Sequence, residues 1–416
     1  MTVLAAPRLR LPRTLQWAFA LALFTLGLLS IGHWPTEGHD FRIAVWNPGS
    51  LLYHGIDPYN VAKYQHTFAV TGWMPPYAPS HLWLGVLFGG LPAPVATALW
   101  FGLNAAILLA LSAIAVRAAS GRINAPAVVA VAALIMLSRP GRALMDLGQV
   151  SALYILATYL AWSQARRRPW LAAVALAITL SKPPFGLPLL ALLLARRLVP
   201  VVTRGLVVFA ALNIPMLAWL AVADGSPLTV LRNFGNNLRF SERNPLDAPG
   251  AVRRIDGISL VAREFHVQLG AVGEVVTFAV VLSAAAVTLA LASREWKITS
   301  PILLVLGSAT LLSIAHQDYD LLLLVWPLGA LARLNIGRRL TLVRVCALPV
   351  LIVCFVPAQT VVRLFDLGAD VGPISSLTAA SVLLAFGGAL ATILREHHSS
   401  SPNVICEYRP DSSRAN

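Results

Sequence analysis

Long apolar runs alternate with short polar stretches along most of this 416-residue chain. A bilayer core about 30 Å thick asks for roughly 17–25 apolar residues per helix. Runs near that length predict spans at 14–33, 82–117, 123–139, 149–164, 169–181, 183–195, 205–223, 271–293, 299–316, 319–333, 341–357 and 374–394. The 82–117 run is too long for one simple span, and Gly89-Gly90 with Leu91-Pro92-Ala93-Pro94 predicts a break within it. The pair 169–181 and 183–195 is short for two full crossings. Its turn, Lys182-Pro183-Pro184, is therefore expected below the membrane surface, where irregular backbone survives only against protein. The pattern predicts an all-α polytopic membrane protein of about 12 transmembrane helices (roughly 11–13). Residues 1–394 are expected to form a single integral-membrane unit, followed by a disordered cytoplasmic tail at 395–416.

The basic residues set the sidedness. Arg8, Arg10 and Arg13, then Arg117 with Arg122, Arg166 to Arg168, Arg196, Arg197 and Arg204, Arg294 with Lys297, and Arg333 to Arg344 mark one alternating set of loops as cytoplasmic. The opposite face then receives the first extracytoplasmic loop at 34–80, the Arg139–Gln149 stretch, the Lys182 turn, the second long loop at 224–270 and the turn His316-Gln317-Asp318-Tyr319-Asp320. The 224–270 loop carries six arginines, which is compatible with export because long loops translocate largely regardless of charge. The N-terminal arginines and first apolar run resemble a signal peptide, but no small-residue cleavage motif follows, so a retained anchor is expected.

Composition agrees with the pattern. Hydrophobic residues make up 57% and charged residues 12%, far from the soluble average of about a quarter charged. The net charge of +14 lies in short clusters between apolar runs, which argues for loop orientation and against nucleic-acid binding. Cys346, Cys354 and Cys406 form no framework and are expected as free thiols. No Walker loop, nucleotide-binding glycine fingerprint or metal-ligand spacing occurs, so neither a nucleotide nor a metal cofactor is expected.

Against this background the polar segment from His33 to Asn60, continuing to Pro79, stands out. It holds Glu37, Asp40 and Asp57, three of the chain's 18 acidic residues. Two readings are open for Asp40: a base at the mouth of a membrane-embedded site, or a solvated loop acid. Lys182 is the only lysine between Lys63 and Lys297. It is either a functional intramembrane charge or a snorkelling lysine at a helix end. His316 reads as a phosphate ligand or a satisfied core histidine, and Gln149 as a sugar-orienting amide or a helix cap. Asp318 and Asp320 are possible hydrogen-bond partners of His316 or interfacial turn residues, Asp320 fitting the latter better. Asp57-Pro58-Tyr59 reads as a turn opening a surface helix. The aromatic residues Trp34, Trp46, Tyr53, Tyr59, Tyr64, Trp73 and Tyr77 suit an interfacial belt, with sugar stacking open to one or two, and Tyr77 a candidate substrate contact. Arg232 and Arg239 of the 224–270 loop are further candidates for a bound phosphate. One carboxylate beside one cation cluster is the set needed to transfer a sugar from a lipid phosphate to a hydroxyl, because the phosphate already leaves well. Hydrolysis of an ordinary glycoside would ask for two carboxylates.

The ordered set HDFRIAVWNPGSLLYHGIDPYN, MPPYAP, LGQVSALY, SKPPFGLPLLALLLARR and IAHQDYDLLLLVWPL resembles the bacterial membrane glycosyltransferases of family 87, over roughly residues 12 to 335. Members resemble polyprenol-phosphate-mannose-dependent alpha-mannosyltransferases. The resemblance implies the multi-span GT-C architecture, an inverting mechanism, and a site facing the periplasm or exterior of a bacterial plasma membrane, with both termini cytoplasmic. It implies Asp40 as catalytic base, and Lys182 and His316 near the donor phosphate. Its partners would be the lipid bilayer, a polyprenyl-phosphate sugar donor and a glycolipid or glycan acceptor. A transporter or flippase of a lipid-linked sugar is the alternative, but the repeated halves common in transporters are not visible here.

Overall fold

The computed structural model describes residues 12–31, 39–69, 73–242, 248, 251, 253–267, 269–292, 299–333, 341–355 and 372–399. Glu37, Trp34 and Cys406 lie outside them. Among the described residues every regular element is a helix, and Arg254 with Gln317 forms an isolated antiparallel bridge. In chain order, the α-helices of seven residues or more begin with α1 (Arg13–Leu29), α2 (Asn47–Tyr53), α3 (Val61–Phe68), α4 (Leu82–Phe88), α5 (Ala93–Ser120) and α6 (Ala125–Leu137). Next come α7 (Arg139–Leu147), α8 (Ser151–Gln164), α9 (Pro169–Leu180), α10 (Pro183–Ala195), α11 (Val199–Asp224) and α12 (Pro227–Glu242). The last are α13 (Gly257–Glu264), α14 (Ala271–Leu291), α15 (Ser300–Ser313), α16 (Val325–Leu331), α17 (Leu342–Phe355) and α18 (Gly372–Ser399).

Among the described residues four helices are long and apolar enough to cross a membrane: α5, α11, α14 and α18 through His398. The bent pair α6 and α7 makes a fifth if counted as one span. Their outer faces remain uncovered by protein, with Val207, Ile214 and Val280 each at least 60% exposed. Apolar surface of that extent is suited to lipid. The 82–117 run is divided as expected, into α4 and α5. Several boundaries differ from the pattern: α1 ends at Leu29, before the expected 33, the expected 319–333 span is a 3-10 segment at Asp318–Leu324 followed by the short α16, α11 starts at Val199, six residues before the expected 205, and α18 runs through Arg395 to Ser399. The tail assigned from 395 is thus helical in its first residues, because the apolar helix continues into Arg395-Glu396-His397-His398 without a breaker; residues 400–416 lie outside the described residues.

The centre is α15, whose residues from Pro301 to Ser313 are all buried. A helix apolar on all sides can only be satisfied there. Packed against it is α10, one side of which is buried, and the largely buried α8 packs in turn on α10, so that these elements bring their ends to one place. Local chemistry sets those ends. Proline disfavours helical backbone in the residue before it, and Lys182 accordingly sits extended (φ −115°, ψ 93°) ahead of Pro183 and Pro184 at the start of α10. Gly186 lets the two arms close, since a Cβ there would lie 2.4 Å from the Leu180 Cα. Between α6 and α7 the chain turns by 79°. Ser138 caps α7 by accepting the Gly141 N–H at 3.3 Å. At its other end Gly148 turns left-handed (φ +67°) and leads into Gln149.

The first loop is packed down. Asp57 is fully buried and accepts the Tyr59 N–H at 2.9 Å, while the Asn233 side chain donates to Asp57 at 2.9 Å and to Asp224 at 2.7 Å. Asp57 therefore ties the loop to α11 and α12, and Asn60 caps α3 in its place by accepting the Lys63 N–H. Burial, then the hydrogen bond with Asp224, push the Asp57 carboxyl up to about 7 from 3.8. The folded protein thus binds more protons here than the unfolded chain, so stability from this group is lost as pH rises between those values. Thermal unfolding in detergent should show the wild type weakening from about pH 5 to about pH 8, and Asp57→Asn should flatten that slope. An unchanged slope would refute the assignment.

Candidate active site

Asp40 lies in a short helical turn, His39–Phe41, that continues into a π-helical turn at Arg42–Trp46. A π-turn is rare because it loosens the regular backbone ladder, and side chains from elsewhere take up its carbonyls. The Tyr64 hydroxyl donates to Ile43 O at 3.1 Å, and His81 Nε2 to Ala44 O at 2.9 Å. In the neutral His81 ring Nδ1 is then an acceptor, and the Tyr154 hydroxyl meets it at 2.5 Å. Thus the turn behind Asp40 is anchored to α8.

The Asp40 carboxylate is also held from the front. Its Oδ2 accepts from the Gln149 side-chain amide, and His39 Nδ1 lies 3.0 Å from its Oδ1. Gln149 is buried and set by its backbone: its N–H donates to Leu144 O, and its carbonyl accepts from Asn104 at 3.2 Å. The Asp40 side chain keeps 29% exposure, enough to meet a substrate.

Two residues beyond Gln149, Ser151 accepts from Lys182 Nζ at 2.6 Å. The ammonium lies 3.6 Å from Asp320 Oδ1, with side-chain exposures of 7% and 3%. The rings of Phe185, Tyr319 and Tyr77 surround it at 4.9, 5.7 and 5.9 Å from their centroids. Asp40 is close enough to act on it electrostatically. A snorkelling role for Lys182 is excluded by this geometry, because its charge points into a buried pair and not toward an interface.

Asp320, read from the sequence as an interfacial turn residue, is instead the buried counter-ion of Lys182. Its Oδ2 accepts from His316 Nδ1 at 2.9 Å and from the Gln317 N–H at 3.2 Å. His316 Nε2 lies 3.3 Å from Pro184 O. Both ring nitrogens are therefore engaged, which leaves His316 no free nitrogen for a phosphate in this arrangement and makes it a holder of Asp320. A neighbouring strand-like segment braces the turn, since the Ile255 N–H donates to His316 O at 2.9 Å.

The structure thus brings Asp40, Gln149, Lys182, His316 and Tyr77 into one network and adds Asp320, Ser151 and His81. Asp318 lies beside it, 3.5 Å from Arg139. Arg232 and Arg239 do not join: both are exposed on α12, whose inner face instead presents Asn233 and Asn237 to the first loop. Ser151 carried no sequence signal beyond its place after Gln149, and His81 none beyond the polar stretch following Tyr77. Among the described residues no group of three or more His, Cys, Asp or Glu is placed to hold a metal ion.

The family model for glycosyltransferase family 87 matches residues 75–316 of this chain. That stretch includes Tyr77, Gln149, Ser151, Lys182 and His316, while Asp40 and Asp320 flank it. Neither a curated protein nor a solved structure matches.

Removing one partner of a buried ion pair leaves the other charge unpaired, at about 3–5 kcal/mol. Asp320→Ala should therefore lower thermal stability in detergent steeply, and Lys182→Met added to it should restore most of the loss. A double variant as unstable as Asp320→Ala would show that the pair is not what holds this region.

Proposed function

Since the chain belongs to glycosyltransferase family 87 and is a multi-pass membrane glycosyltransferase, we propose that it moves a hexose, most simply mannose, from a polyprenyl-phosphate sugar to a hydroxyl of a lipid- or glycan-linked acceptor. We take the architecture to be of the GT-C type with about 12 spans, several of them formed by the shorter apolar helices. The site would face the periplasm or exterior of a bacterial plasma membrane, with both termini cytoplasmic. The observation that carries this reading is the division of labour between two carboxylates. Asp320 is buried and committed to Lys182 and His316, whereas Asp40 is partly exposed and held in place by Gln149. One reachable base is what transfer from a phosphate requires.

In the proposed reaction Asp40 takes the proton of the acceptor hydroxyl as its oxygen attacks the anomeric carbon. The bond from that carbon to the phosphate oxygen breaks, and the electron pair leaves with polyprenyl phosphate. Attack from the face opposite the phosphate inverts the anomeric configuration. Lys182 stands near Asp40 and would stabilise negative charge growing on the leaving phosphate, where the surrounding protein excludes water. Asp320, His316 and Ser151 orient that ammonium, and Tyr77 lines its approach.

Incubating purified protein with polyprenyl-phosphate-mannose should release polyprenyl phosphate. Asp40→Asn should fold normally and lose about 10²–10⁴ in rate, because the amide cannot accept the proton. Glu37→Gln is the matched control and should change little. Near-normal turnover by folded Asp40→Asn protein would remove the base assignment.

Sidedness is tested separately by labelling a single cysteine at position 40 with an impermeant reagent, in a protein lacking Cys346, Cys354 and Cys406. Labelling in intact cells is expected; labelling only after lysis would put the site on the wrong side for this donor.

A further inference from the structure

Arg232 and Arg239 have no place in the site, and the helix that carries them has an outer face of its own. In α12 the residues Leu228, Leu231, Arg232, Gly235, Leu238 and Arg239 recur at three- and four-residue steps and so share one side. Leu228 and Leu231 are 64% and 62% exposed, Leu238 is 40% exposed, and both arginines are exposed. The opposite side is used by the protein itself. Val230, Asn237 and Ser241 are buried, the Asn237 side chain donates to Met74 O at 2.9 Å, and Phe234 packs edge-on against Tyr59 with ring centroids 5.0 Å apart.

The outer stripe is apolar and basic at once. At about 100° of turn per residue, the three leucines and Gly235 lie together, and Arg232 and Arg239 form one edge of the stripe. Leucines alone would suit the acyl core, and arginines alone would suit water. Side by side they suit the boundary between the two, where a long basic side chain reaches the headgroups. The helix also starts where a membrane-capable one ends: only Gly225, left-handed at φ +72°, and Ser226 separate Pro227 from Asp224, the last residue of α11. In that last turn of α11 Val222 is 83% exposed, so outward apolar surface passes from one helix to the next. Charge favours an anionic partner. Two arginines in α12 stand against one acid, Glu242 at its last position, and Asp224 just before the helix is engaged by the Asn233 side chain.

We propose that α12 docks on an anionic bilayer surface, with Leu228, Leu231 and Leu238 in the upper acyl region and Arg232 and Arg239 on the headgroup phosphates. The proposal rests on the chain being a membrane protein and not on the reaction proposed above. Because Asn233 and Asn237 hold the first loop from the other side of the same helix, docking would brace that loop against the membrane.

A single cysteine in place of Gly235 reports on the middle of the stripe, and a Cβ there meets nothing within 4 Å. In full-length protein lacking Cys346, Cys354 and Cys406 it is labelled with an environment-sensitive fluorophore. The protein is reconstituted into vesicles of phosphatidylcholine alone, or of phosphatidylcholine and phosphatidylglycerol in equal amounts. Quenching is read with a lipid carrying its quencher just below the headgroup and with aqueous iodide. A label in place of Asn236, exposed but beyond the arginine edge, is the water-facing comparison. The label at 235 should be quenched more by the lipid, and that at 236 more by iodide, with lipid quenching at 235 stronger when phosphatidylglycerol is present. Arg232→Gln combined with Arg239→Gln should raise the iodide-accessible fraction at 235 by roughly tenfold in the phosphatidylglycerol vesicles. Both changes are on an exposed face, so thermal unfolding in detergent should stay at the wild-type temperature. Iodide quenching at 235 equal to that at 236, or lipid quenching indifferent to phosphatidylglycerol and to the arginines, would overturn the proposal. So would a label at 235 shielded from both quenchers increasingly as the protein-to-lipid ratio rises, the result expected if a second copy covers the stripe.

Discussion

The arrangement around the site depends on one buried ion pair. Lys182 and Asp320 are almost fully removed from solvent, and a lone charge of either sign in that position would cost several kcal/mol. Keeping the pair demands that the α9–α10 turn, the start of α8 and the segment after α15 meet within hydrogen-bonding distance. Ser151 and His316 supply the remaining partners, and three aromatic rings close around the ammonium. The pair therefore constrains the ends of α8, α10 and α15 at once.

Such a pair also has a chemical consequence. An ammonium held between a carboxylate and a serine hydroxyl is pre-oriented, so it needs little rearrangement to face a group that becomes negative during reaction. The first loop brings the complementary component. Its π-turn would be a weak element alone, but His81 and Tyr64 take up its carbonyls, and Gln149 holds the carboxylate at its leading edge. Both halves converge on the short stretch from Gln149 to Ser151, where one residue contacts Asp40 and the other Lys182. Coupling of base and cation thus runs through three consecutive residues.

Much of the fold was legible in the sequence. Apolar run lengths located the long apolar helices but not α2, α3, α12 and α13, which lie in stretches read as loops; prolines and glycines located breaks, and the prolines after Lys182 marked a turn whose conformation follows from local sterics. The prominence of Asp40, Lys182 and His316 was legible too, since polar groups are costly in an apolar chain and few are present. What only the tertiary structure decided is which of them meet. Asp40 and Gln149 lie 109 residues apart, and nothing local to either encodes the other. Asp320 read as a turn residue because its neighbourhood resembles one, and its role as counter-ion exists only once α15 is buried beside α10. Arg232 and Arg239 read as candidates by loop and charge, yet the inner face of α12 turns them outward. Periodicity is a property of neighbouring residues and survives in sequence, whereas charge pairing depends on distances that packing alone creates.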